Sequence, residues 1–348
     1  MSWLLSEMLE WVGASPVVNQ SVDGVRISAV KPIHEASVGE LSLLFSKEYL
    51  AVAAETSASV VLTSQDLYDA LVKKGIKTKA LFAIAPNANL ASAVLSARCA
   101  QTVTPSLTLS SLKPGIHPSA VVHPSAVIHP QSEISAFCVV DEGAVIGAGT
   151  KLHPRVSIGS KVKVGEQCQL FSGVVIYENC VIGDEVRIHA NTVIGSDGFG
   201  YVQTQSPHLK HHKLWHIGAV KIGNHVEIGA SSTVDRGTWG DTIIGDQAKL
   251  DNQVHIGHNA KLDVGAVICG GTCLAGRASV GKFAFVGGLT GIDNAVHVGD
   301  GAKVGALSMI TKDVEPGSVA AGNPQRELKE HFKIHAMLNR MIKGKQNG

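Results

Sequence analysis

From Ile116 to Ile194 every sixth residue along the chain is aliphatic, through Ile128, Val140, Leu152, Val164, Ile176 and Ile188 without a miss. The count resumes at Ile222, Ile228 and Val234, takes one step of ten residues, and then runs unbroken from Ile244 through Ile256, Ile268, Val280 and Ile292 to Ile310. A helical stripe repeats every 3.6 residues and drifts out of phase with a period of six. The pattern therefore predicts a left-handed parallel β-helix, in which each hexad supplies one short strand and a turn, and three hexads close one triangular coil. Burial of the recurrent aliphatic side chain drives the stacking. Glycine after it, as at Gly147, Gly183 and Gly257, suits a corner where a Cβ would crowd the backbone. His117, His123 and His129, each followed by proline, read as corner residues.

The flanks differ. Residues 1–111 lack the hexads and mix strand-like runs (VVLTS, ALFAI) with helical text (QDLYDALVKKG, NLASAVLSARCA), which predicts a small α/β domain. The opening MSWLLSEMLEWVG carries Glu7 and Glu10 among apolar residues and no positive n-region, so it reads as a short amphipathic helix and not as a leader peptide. A Ser-Leu-Lys-Pro-Gly stretch ending at Gly115 reads as a linker. The coil is expected over 112–322 and a helical extension over 323–348. Between Arg326 and Lys343 five Lys or Arg stand against two Glu, which fits either an acidic partner or a solvated face.

Composition adds little beyond solubility. Lys and Arg number 30 against 29 Asp and Glu, so the chain as a whole has no broad attraction to nucleic acid or membrane. No apolar run is long enough to span a bilayer. The six cysteines form no CxxC pair, and a reducing cytoplasm is the default compartment. Cys138, Cys168 and Cys180 share the fifth place of the hexad, where small side chains recur, and read as packing residues.

The repeat also supplies spatial information. Eighteen residues make one coil, so position 276 lies beside position 258, one strand spacing of about 4.8 Å along the axis. That neighbour is Gly276. An imidazole beside a bare backbone N–H pairs a base with an oxyanion donor. Among histidines in the uninterrupted hexads, only His258 takes the third place; Asp251, seven residues earlier, is expected on the preceding face and near enough to orient the ring. Two insertions, GFGYVQTQSPHLKHHKLWHIGAVK and TWGDT, break the pattern. Loops projecting from so regular a prism are where binding concentrates. The first carries Phe199, Tyr201, His211, Lys213, Trp215 and His216, a composition suited to gripping a sugar nucleotide or to a subunit contact. On pattern alone His258 is either a general base or a polar turn residue.

NTVIGSDGFGY (191–201), IGASSTVDRG (228–237), DTIIGD (241–246), LDNQVHIGHN (250–259) and LAGRASVG (274–281) resemble the bacterial UDP-3-O-acylglucosamine N-acyltransferases of lipid A synthesis, and the likeness covers nearly the whole chain. It implies a cytoplasmic homotrimer. The implied reaction moves a 3-hydroxyacyl group from the phosphopantetheine arm of acyl carrier protein to the 2-amino group of a UDP-3-O-acylglucosamine, with no bound cofactor or metal. His258 matches the family's general base, Gly276 its oxyanion donor, and Asp251 the position that holds and polarises the imidazole. Because family sites lie between adjacent prisms, the loop with Asp197, Phe199 and Tyr201 is expected to complete a neighbour's site.

Two departures bear on substrate binding. The family's N-terminal pattern Leu-Ser-Phe-Leu-x-Asn-x-x-Tyr stands here as LSLLFSKEY. Tyr49 matches a ring that stacks on uracil, while Leu43 and Ser46 replace the phenylalanine and asparagine. A leucine lacks the ring's stacking contribution of about 0.5–1.5 kcal/mol, and Phe45 is the nearby ring placed to compensate. A second family histidine corresponds to Ala295; His297, two residues on, is expected on the same side by strand alternation. Leu307 and Met309, near the end of the coil, fit either an acyl-measuring groove or core packing. Three other readings stand beside this one: a zinc hydratase needing three convergent imidazoles, a non-catalytic binding scaffold, and another hexapeptide-repeat sugar-nucleotide acyltransferase such as an O-acyl enzyme.

Overall fold

The computed structural model of the chain describes residues 2–17, 21–103, 114–204 and 209–346. It divides into two compact units, Met1–Ser106 and Leu107–Gly348. The boundary expected at residue 111 lies outside the described residues.

The first unit is an α/β sandwich. Its five-stranded sheet runs in the order Ser15–Pro16, Leu81–Ile84, Val60–Thr63, Leu41–Leu44, Val30–Lys31, all parallel except the first strand. Helices α1 (Leu5–Trp11), α2 (Gln65–Lys73) and α3 (Ala88–Val103) follow the predicted segments. The strand Val60–Thr63 is buried along its whole length, as a run apolar on both faces requires.

In the second unit the hexads away from the insertions form two-residue strands ending on the recurrent aliphatic residue, and such a strand pairs in parallel with the one eighteen residues on, as Val145 does with Lys163 and His255 with Cys273; across the insertions the step lengthens, Val181 pairing with Lys221 and Thr233 with His255. Among the described residues the three walls hold twelve, ten and nine strands. The recurrent residues from Ile134 to Ile310 form one continuous core, and each fully buried aliphatic side chain contributes about 1.5–3 kcal/mol. Cys138, Cys168 and Cys180 are fully buried in that core, as packing residues should be.

Corners explain the polar text between strands. The residue three places after the aliphatic one is left-handed at Gln253, Asn259, Arg277 and Ala295, with φ between 56° and 62° at these and their neighbours His225 and Gln247. Gly257 answers a different demand: a Cβ there would fall 2.8 Å from the Leu274 carbonyl of the coil above. His117 and His123 each take their own Ser N–H two residues on through Nδ1, at 3.1 and 3.2 Å, so these imidazoles close corners.

The end of the coil departs slightly from expectation. Val319–Ala321 turns back on Arg326–Glu327 as an antiparallel pair, so within the extension expected over 323–348 helix α4 (Leu328–Gln346) begins at Leu328.

Candidate active site

Both insertions leave the prism at one corner. The first lies between Val193–Ser196 on the ten-strand wall and Val220–Ile222 on the nine-strand wall; the second lies between Thr233–Asp235 and Thr242–Ile244 on those same walls, one coil up. His258 follows at the corner above, between His255–Ile256 and Lys261–Leu262. The first insertion folds into an antiparallel hairpin that sets Tyr201 opposite Lys213. Lys213 pairs with Asp197 and rests 4.1 Å over the Trp215 ring, while Phe199 meets Tyr201 edge-on at 5.2 Å. Together the insertions and the corner enclose a cavity of about 1160 Å³, lined among others by Phe199, Tyr201, Trp239, His258, Arg277 and Asn294.

His258 is half-buried in this cavity and lies directly against Gly276: a Cβ on Gly276 would fall 2.5 Å from Nε2. Among the described residues no acceptor is found for the Gly276 N–H, so that amide is available to a ligand. On its other side the ring meets the edge of His216 at 5.1 Å, and Nδ1 sits 3.2 Å from Asn259 Oδ1. Gly198 explains how the loop comes so close, because a Cβ there would strike His216 and His258 at 2.7 Å. Asp235 is buried below, accepting from Ser196 Oγ at 3.1 Å with His255 Nε2 at 3.7 Å. Burial raises the Asp235 carboxyl, opposed by the charges of His255, His258 and His216 and by the Ser196 bond.

Several expected partners stand elsewhere. Asp251 occupies the preceding corner, where Oδ1 accepts Asn252 N–H at 2.7 Å and Oδ2 accepts Gly270 N–H at 3.0 Å. It lines a separate cavity of about 470 Å³ with His189, Glu227 and Cys269, so within its own chain it does not hold the His258 ring. Phe199 and Tyr201 line the cavity of their own chain's His258, the loop returning to a wall two coils below it. His297 is exposed on the nine-strand wall, bonded to Ser279 Oγ at 2.8 Å and outside the cavity lining. Met309 caps Gly291 on the outside of the ten-strand wall, three strand spacings or about 14 Å along the axis from His255. Leu307 is exposed at a corner.

In the first unit Tyr49 is half-exposed on a short 3-10 turn, Lys47–Tyr49, in which the Glu48 N–H donates to Ser46 Oγ, so Ser46 serves as a cap. Leu43 and Phe45 both pack against the core of that unit. The residues that the sequence reading did not single out are Asn259, Asp235, Arg277 and Asn294. Arg277 and Asn294 were accessible by the same eighteen-residue count that found Gly276. His255 and His258 turn to different partners, Asp235 with Thr233 and Asn259 respectively, which removes the convergence that a zinc hydratase needs.

Two buried imidazoles give the fold an acid limit. Burial, then the His258 charge, lowers His216; burial, then Lys151 and Arg187, lowers His153, whose ring stacks on Phe171 at 4.6 Å. The His153 ring finds no hydrogen-bond partner among the described residues. Both take up a proton less readily in the folded chain than in the unfolded one, where histidine titrates near pH 6.5. Stability is therefore full above about pH 6.5 and declines as pH falls toward the lowered folded values. The urea midpoint is expected to be lower at pH 5 than at pH 7.5. His153→Phe keeps the stack and removes two unpaired nitrogens, so it should narrow that difference; an unchanged difference would assign it to other groups.

The family model for the bacterial transferase hexapeptide (six repeats) matches residues 161–196. The Arabidopsis UDP-N-acetylglucosamine acyltransferase structure is 28% identical with a TM-score of 0.55, covering 62% of this chain and 75% of that one. Coil, corner site and these matches define a left-handed parallel β-helix of the hexapeptide-repeat acyltransferase class. The UDP-3-O-acylglucosamine N-acyltransferase of Janthinobacterium sp. is 31% identical over 344 residues, 93% of this chain and 89% of that one. The Coxiella burnetii protein of the same name is 31% identical over 340 residues, 96% and 92% of the two chains. A denser match, 39% over 150 residues, spans about half the length of the Campylobacter curvus relative (47%) and 43% of this chain. The chain belongs to the UDP-3-O-acylglucosamine N-acyltransferase family.

Proposed function

We propose that the chain moves a 3-hydroxyacyl group from the phosphopantetheine arm of acyl carrier protein to the 2-amino group of a UDP-3-O-acylglucosamine, in the cytoplasmic stage of lipid A synthesis. One observation carries this reading: the His258 imidazole lies against Gly276, whose bare Cα leaves room for its Nε2, inside an aromatic-lined cavity. The shared name of the relatives supports the choice of substrates. In this reading the imidazole takes a proton from the amine as its nitrogen attacks the thioester carbonyl, and the developing oxyanion meets the Gly276 N–H. One N–C bond forms and one C–S bond breaks. The departing thiolate recovers the proton from His258, so atoms and charge balance without a bound cofactor. Such a base is worth about 10²- to 10⁴-fold and such a donor about 10²- to 10³-fold. Tyr49 is assigned to the uracil, and Asp197, Phe199 and Tyr201 to the substrate within the cavity.

The test uses purified protein, UDP-3-O-acylglucosamine and 3-hydroxyacyl carrier proteins of several chain lengths. Amide formation with release of carrier thiol is expected, and the preferred length reads the surface that reaches Met309. No turnover with any carrier, or acylation of a sugar hydroxyl, would overturn the reading.

The reading includes a homotrimer. In a closed ring each prism meets its two neighbours through different surfaces, so Asp251, absent from its own chain's His258 corner, is available to a neighbour's. Mixed assemblies of Asp251→Ala and His258→Ala chains, each inactive alone, are then expected to regain part of the activity. Without recovery, Asp251 is confined to the two amides it caps.

A further inference from the structure

We infer that Asn259 is a positioning residue that fixes the tautomer of His258 and makes Nε2 the proton-accepting atom. The catalytic consequence rests on the acyl-transfer reading above; the tautomer itself does not.

The argument begins with the two ends of the Asn259 carboxamide. Its Oδ1 accepts the Thr238 N–H at 2.9 Å, and its Nδ2 donates to the Gly240 carbonyl at 3.2 Å. A main-chain N–H can only donate and a carbonyl can only accept, so these partners tell oxygen from nitrogen. Turning the amide over would set donor against donor and acceptor against acceptor, at a cost of two hydrogen bonds. The oxygen so fixed lies 3.2 Å from His258 Nδ1. An amide oxygen cannot donate, so the proton of that contact belongs to Nδ1. In the neutral ring the lone pair then resides on Nε2, the atom that lies against Gly276. The base is thereby aimed at the oxyanion donor instead of away from it.

The backbone does not demand asparagine here. Asn259 has φ 58°, but Ala295 takes the same corner place two coils on at φ 59°, and Leu307 is left-handed at 58°. What distinguishes Asn259 is the second insertion, whose Thr238 and Gly240 supply the two main-chain partners that orient its carboxamide; Thr242 Oγ1 additionally accepts the Asn259 N–H at 2.8 Å. The four extra residues of that insertion thus hold the amide that orients the base. The other charged or titratable groups around the ring are His216 from the first insertion, Asp235 from the ten-strand wall and Arg277 from the corner above.

The test is nitrogen NMR of the full-length protein carrying ¹⁵N-histidine, with His258 assigned by difference against His258→Gln. Wild type is expected to show His258 protonated at Nδ1. Asn259→Ala should release the ring toward the Nε2-protonated form and lower kcat at least about tenfold, with KM changed little. Asn259→Asp keeps an acceptor at Nδ1 and adds a negative charge, so it should retain the tautomer and move the acid limb of the kcat profile to higher pH. An Nε2-protonated His258 in the wild type, or the same His258 spectrum in wild type and Asn259→Ala, overturns the inference. If the spectra behave as expected and no acyl transfer is found, the inference stands and the proposed reaction falls.

Discussion

His258→Ala is expected to lower kcat by about 10²- to 10⁴-fold while leaving the coil and its assembly folded. The side chain projects from a corner into the cavity, and the structural bond at this residue, its carbonyl accepting Arg277 N–H at 2.8 Å, belongs to the main chain and survives the substitution. A corner histidine that merely closed a turn would give the opposite result, a lower melting temperature with turnover preserved. Kinetics on carrier-bound substrate together with a thermal melt separate the two cases. Near wild-type turnover would remove His258 from the chemistry.

Gly276→Ala should be almost as damaging, for a reason of space. The backbone at Gly276 is outside the left-handed region, so alanine is conformationally permitted, yet its methyl would sit 2.5 Å from His258 Nε2. The imidazole has to swing away, and the methyl then screens the amide from the carbonyl oxygen. A loss of at least about 10²- to 10³-fold in kcat is expected, the magnitude of removing one oxyanion donor. Gly287→Ala provides the contrast: its methyl would meet main-chain atoms of Ala306 and Gly305, away from the cavity, so it should cost stability before it costs chemistry. Equal melting-point losses in both variants would mean that Gly276 serves the corner and not the site.

The coil was legible because its core repeats; each hexad must bury one aliphatic side chain, and burial leaves a period in the text. Gly276 was legible for the same reason, since eighteen residues return the chain to the same corner. Asp251 was misplaced by measuring along the chain. Seven residues is one wall plus one residue, which carries the side chain around the prism to another corner, where it caps Asn252 and Gly270. Asn259 was hidden because asparagine at a left-handed corner is unremarkable. Its meaning lies in Thr238 and Gly240, which an insertion brings alongside. His216 sits in a loop with no period at all, and nothing in the sequence announces that its ring would be buried edge-on against His258.

Each hexad also turns the chain through a third of a revolution, so the prism keeps azimuth as well as height. Excising eighteen residues between Ile134 and Ile188 would shorten the stack by about 4.8 Å and leave every remaining side chain pointing where it did. Excising six would rotate the lower coils by 120° against the upper ones. Below the first insertion such whole-turn changes are open to the protein. Between Ile222 and Ile256 they are not, because there two loops and one imidazole emerge along a single edge at set heights, and a lost coil would bring them about 4.8 Å closer.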